Sequence, residues 1–136
     1  MTAVPLNTLD DALNKVGDEM VAAAPEGWTH LTLHITGAGS MVKTRFVATT
    51  PDGEQQLGMP MSATIACDEL RASMASDGGG TWYNATVTVD QDETLDADFD
   101  YDGKPFDGDP DDKLLVEDQE LYPRAPEHLP DWHPAH

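Results

Sequence analysis

A chain of 136 residues has room for one domain with a real core and not for two. Its 26 Asp and Glu against 7 Lys and Arg give a formal net charge of −19, which sets it against nucleic acid and anionic membranes, since phosphate binding depends on Lys and Arg displacing counterions. No run approaches the roughly 18 apolar residues of a membrane helix, no signal peptide is legible at the N-terminus, and the lone cysteine, Cys67, closes no intrachain disulfide, so a cytoplasmic protein is expected.

Asn7 or Thr8 is placed to cap a first helix, with Leu9, Leu13, Val16, Met20 and Ala23 at helical spacing and Pro25 and Gly27 past its end. In residues 29–35, Leu31, Leu33 and Ile35 alternate with polar residues, the pattern of a half-buried strand. Gly37-Ala38-Gly39-Ser40 turns the chain into a second strand, where Val42, Thr44, Phe46 and Ala48 lie opposite Lys43, Arg45 and Val47. Pro51-Asp52-Gly53 is a further turn, and a short third strand falls around residues 55–59. Ser62 is placed to cap a second helix with Ala63, Ala66, Cys67, Leu70 and Met74 on one face, stopped by Asp77-Gly78-Gly79-Gly80.

Residues 82–89 and 94–101 form a hairpin around Asp90-Gln91-Asp92-Glu93. In its second strand Leu95, Ala97, Phe99 and Tyr101 face one way, and Asp96, Asp98, Asp100 and Asp102 the other. Pro110 fits the first turn of a last helix, with Asp111 and Asp112 near its positive end and Leu114, Leu115, Leu121 and Tyr122 as its apolar stripe. Pro123 ends it. The expected fold is α+β: an antiparallel sheet of four to five strands with three helices packed mainly on one face. One domain spans residues 1–136, with a core over about 8–123 and a Pro-rich tail, 124–136, docked through Leu129 and Trp132.

Charge is unevenly placed. Residues 28–50 contain no acid and carry Lys43 and Arg45, whereas residues 90–120 hold fourteen Asp and Glu against Lys104 and Lys113. Solubility or adaptation to salt explains a high average charge but not this split, which marks one face or end electrostatically.

Asp98, Asp100, Asp102, Gly103 and Asp109 match positions 1, 3, 5, 6 and 12 of an EF-hand calcium loop. Against this, the preceding residues alternate like a strand, Pro105 falls where an aliphatic residue is usual, and Asp109 replaces Glu. His30 and His34 share one strand face about 13 Å apart, too far for one ion. No metal site or cofactor is expected. Cys67 sits on a buried helix face where thiols are inert, no Ser lies in a nucleophile elbow, and the glycine run lacks a following Lys, so no catalytic residue is expected. Trp28 and Trp82 read as core anchors, with partner contact as the alternative.

Gly80-Thr81-Trp82-Tyr83-Asn84-Ala85-Thr86-Val87-Thr88-Val89, then Phe99-Asp100-Tyr101-Asp102 with Pro105 behind, then Tyr122-Pro123-Arg124 and Glu127-His128-Leu129-Pro130-Asp131-Trp132, resemble the YezG-like immunity proteins of bacterial polymorphic toxin systems. The resemblance covers residues 8–133 and is specific in the second half. It implies an antidote that binds a cognate secreted toxin domain and blocks its active site, with no catalytic residue to carry over. The aromatic that the family keeps soon after the proline is met here by Phe106. The loop 107–112 is unusually acidic, and Asp100, Tyr101 and Asp102 fit a turn-forming role.

The expected function is therefore that of an immunity protein, its partner surface formed by Asp96, Asp98, Asp100, Asp102, Asp107, Asp109, Asp111 and Asp112. Such carboxylates suit the basic cleft of a nuclease toxin. An NAD-consuming toxin does not need them. The alternatives are a small calcium-binding module and an acidic adaptor without a toxin.

Overall fold

The computed structural model describes residues 4–5, as backbone, and 11–136. It is an α+β fold, in the order β1 (Val4–Pro5), α1 (Asp11–Ala23), β2 (His30–Ala38), β3 (Met41–Thr50), β4 (Gly53–Leu57), α2 (Met61–Ser73), β5 (Asn84–Asp90), β6 (Thr94–Asp100) and α3 (Asp112–Leu121). The strands form one sheet, β1-β6-β5-β2-β3-β4, and every neighbouring pair is antiparallel. The predicted cap at Asn7 or Thr8, and Leu9, lie outside the described residues.

Alternation decides the sheet's two faces. Leu31, Leu33 and Ile35 of β2, Phe46 and Ala48 of β3, Ala85, Val87 and Val89 of β5, and Leu95 and Ala97 of β6 are buried on one face. Against them lie Leu13, Val16 and Met20 of α1 and Ala66, Cys67 and Leu70 of α2. Each Leu, Ile, Val, Phe or Met side chain so taken from water contributes about 1.5–3 kcal/mol, so this layer fixes the strand registers. The β2–β3 hairpin extends the predicted strand to Ala38, because Ala38 pairs with Met41 across a two-residue link. Gly39 there has φ 59°, and a Cβ on it would crowd the Leu114 carbonyl at 3.0 Å and displace the Glu117 carboxylate, so conformation first and space second favour glycine.

Three expectations need correction. Ser62 does not cap α2: Pro60 holds the cap position without a side-chain bond, and the Ser62 hydroxyl instead donates to Glu19 of α1 at 3.0 Å. Pro110 lies before α3, whose cap is Asp111, its carboxylate accepting from the Lys113 N–H at 2.8 Å. Leu121 is exposed, and the buried side of α3 is Leu115 and Asp118.

Helix α3 sits at the β2–β3 hairpin end rather than over the main core. Leu115 joins Ala38 and Tyr83 in a second small core, against which Phe106, Leu114 and Trp132 pack. Beside it, the guanidinium of Arg71 in α2 donates to the carbonyl of Trp82 at 2.7 Å and to Asp118 Oδ1 at 2.5 Å, with both charged side chains buried. A second buried arginine, Arg124, stacks on Tyr83 at 4.4 Å and donates to the carbonyls of Thr81 at 2.7 Å and His128 at 3.0 Å. The tail crosses this cluster: the Trp132 ring packs edge-on to Tyr83 at 5.1 Å, and its indole N–H donates to the carbonyl of Asp102 at 2.7 Å.

Candidate functional site

Both long helices cover the same side of the sheet, and the other side is open and polar. Antiparallel pairing aligns its side chains in rows across four strands. One row runs Arg45, His34, Thr86, Asp98, and the next Lys43, Thr36, Asn84, Asp100. Directly opposed residues project to the same side, so each row begins with a cation on β3 and ends with a carboxylate on β6. Three strand spacings separate the ends, roughly 14 Å.

The eight carboxylates proposed from sequence fall into three groups. Asp96, Asp98 and Asp100 stand on the open face of β6, spaced about 6.6–6.8 Å apart by the two-residue repeat. Asp102, Asp107 and Asp109 lie on the following loop, and Asp111 and Asp112 begin α3. All but Asp96 are exposed. Two do structural work: Asp100 Oδ1 accepts from the N–H of Asp102 at 3.1 Å and of Gly103 at 2.9 Å, and Asp111 caps α3. Among the described residues, no three His, Cys, Asp or Glu side chains lie close enough to hold a metal ion.

The loop after β6 folds over the open face. Phe106 and Asp107 both take positive φ, 55° and 59°, a conformation that Asp tolerates but that strains a bulky residue such as Phe106. The Phe106 N–H donates to Thr36 Oγ1 at 2.7 Å and ties the loop to the middle of the sheet. The Lys43 ammonium lies 5.6 Å from the Phe106 ring centre, within cation–π range. Loop and strands enclose a hollow of about 440 Å³, with Arg45, Lys43, His34 and Phe106 in its walls. Burial and then the neighbouring Arg45 charge lower the pKa of His34, which favours the neutral ring.

Sequence reasoning placed Lys43 and Arg45 on one strand face but gave them no role, and it met Phe106 only as an aromatic following a proline. The acid-free stretch 28–50 was the available signal; which carboxylates would stand in its rows depends on register, which composition does not reveal. At the hairpin end, exposed Met41, Met61 and Ile65 line an apolar hollow with Leu114, the kind of surface that protein interfaces bury. Cys67 is fully buried, and burial followed by the charges of Asp68 and Glu19 pushes its thiol up to about 12, so it is no nucleophile. No described helix is long and apolar enough to cross a membrane. The chain matches no protein-family model and no curated protein.

Proposed function

We propose that the chain is an immunity protein that binds a cognate toxin domain in the bacterial cytoplasm and masks its active site with an acidic surface. The observation that carries this reading is the unused charge at one side of the fold. Seven of the eight carboxylates between Asp96 and Asp112 are exposed, and none of the four ion pairs among the described residues draws on them. Charge left unpaired in this way repels itself, and a basic partner relieves the repulsion.

The support is physical and comes from three sides. Carboxylates at the two-residue repeat of a strand are held on a rigid frame, so they enter a basic cleft without first being ordered. Their field draws a basic partner in and raises the association rate. The apolar hollow at Met41, Met61 and Ile65 supplies surface whose burial prolongs the complex. The resemblance to YezG-like immunity proteins in residues 80–132 agrees with this, and no residue is assigned a catalytic role. The fitting toxin is one that holds phosphates in a basic cleft, as nucleases do.

The test is protection. A toxin domain that co-purifies with the chain from its native cell should arrest growth when expressed alone and lose that effect when the chain is co-expressed. The Asp98→Asn, Asp102→Asn, Asp107→Asn, Asp109→Asn variant should protect less well. Undiminished toxicity beside soluble, folded chain contradicts the proposal.

A further inference from the structure

We infer that the hollow beneath Phe106 is a carboxylate site, which takes an Asp or Glu side chain that the toxin domain presents beside its basic surface. The inference rests on the immunity reading and gives the complex an orientation.

Lys43 and Arg45 form no ion pair among the described residues, although the chain holds 26 carboxylates. Register keeps them apart: the carboxylates of their own rows, Asp98 and Asp100, stand three strands away. The space above them is not flat. The Phe106–Asp107 loop walls it off at the cost of strain at Phe106 and is pinned by the bond to Thr36. Strain of this kind persists where surrounding contacts over-determine it, and it gathers at binding sites. The Phe106 ring centre also lies 5.6 Å from the Lys43 ammonium, a cation–π contact that favours the ammonium's place at the hollow.

The overall charge selects the ligand. With Asp107 at its edge, the hollow carries two fixed cations and one anion, inside a chain of net charge −19. A free multivalent anion such as phosphate is repelled by the whole molecule before it reaches so modest a well. A single carboxylate carried on a basic protein is not, because the same field attracts its carrier. A second copy of the chain also offers carboxylates, and the rows are self-complementary about an axis between β2 and β5. However, two chains of −19 repel, and the Phe106 loop stands in the way. The toxin's docking surface therefore pairs an acidic residue with a basic patch roughly 14 Å away, matching the two ends of the rows.

The probe is a blocked octapeptide, Lys-Lys-Gly-Glu-Leu-Gly-Lys-Lys, together with the same peptide carrying Gln for Glu, each titrated into the isotopically labelled full chain by NMR. The expected result is that both peptides shift β6 and loop resonances, and only the Glu peptide shifts Lys43, Arg45, His34 and Phe106. Its affinity should fall about tenfold in Lys43→Gln, Arg45→Gln, the scale of a lost charge-assisted bond, with the protein's melting temperature unchanged. Equal shifts at Lys43 and Arg45 from both peptides overturn the inference. So does displacement of the Glu peptide from these residues by equimolar inorganic phosphate, which makes this an oxyanion site. Shifts there that follow the chain's own concentration overturn it in favour of self-association. The protection assay is read separately, so protection by Lys43→Gln, Arg45→Gln at full strength removes the carboxylate site and leaves the immunity reading standing.

Discussion

Asp118 of α3 and Arg71 of α2, 47 positions apart in the chain, meet as a buried ion pair at 2.5 Å. Asp118 Oδ1 also accepts the N–H of Gly39 at 2.9 Å, so one carboxylate joins both helices to the β2–β3 hairpin. Removing one partner of a buried pair leaves the other charge uncompensated. Asp118→Ala should therefore lower stability by about 3–5 kcal/mol in urea melts, whereas Arg71→Met, Asp118→Leu should recover only part of the loss, because the Gly39 N–H and the Trp82 carbonyl lose their side-chain partners. A cost below about 1 kcal/mol for the single change contradicts this role.

That pair also shows where the sequence stops being readable. Periodicity located α1, α2 and the alternating strands because apolar burial repeats at 3.6 or 2 residues. It assigned Leu121 to the core of α3, yet the buried place went to Asp118, whose partner no local pattern reveals. The acidic face of β6 was legible for the same reason as its apolar face. Its distance from Lys43 and Arg45 was not, because that depends on β5 and β2 intervening in the sheet order.

The tail gives a second prediction. Trp132 is half-buried, packed edge-on to Tyr83 and hydrogen-bonded to Asp102. Trp132→Ala should cost about 2 kcal/mol, less than the 3–5 of a fully buried aromatic, and Trp132→Phe about 1 kcal/mol for the lost bond. Urea melts with intact stability but lost partner binding instead place Trp132 in the interface.

His34 should titrate below its ordinary 6.5, since burial and then Arg45 lower it. The unfolded chain takes up that proton first, so the contribution of neutral His34 to stability is present above about pH 6.5 and declines as pH falls through the folded value. NMR titration of the ring should show the lowered pKa, and Arg45→Gln should raise it part of the way back, because burial remains. An unchanged His34 pKa in that variant shows that Arg45 is not the neighbour described.

Cys67, with its thiol pushed up to about 12 by burial and then by Asp68 and Glu19, should resist a thiol reagent at pH 8 in the folded protein and react fully in denaturant. Ready labelling of the native chain contradicts the packing of α2 on the sheet.

The central claim, that the carboxylates of β6 and its loop meet a basic toxin domain, is tested most directly by association kinetics. The rate at which the captured toxin domain binds should be measured in low and high salt, for the chain and for Asp98→Asn, Asp102→Asn, Asp107→Asn, Asp109→Asn. Asp100 and Asp111 are left intact because their carboxylates hold the turn and cap α3. Neutralisation should slow association about tenfold or more at low salt and change dissociation little, with the difference vanishing at high salt where steering is screened. Equal association rates for the two proteins at low salt contradict the account.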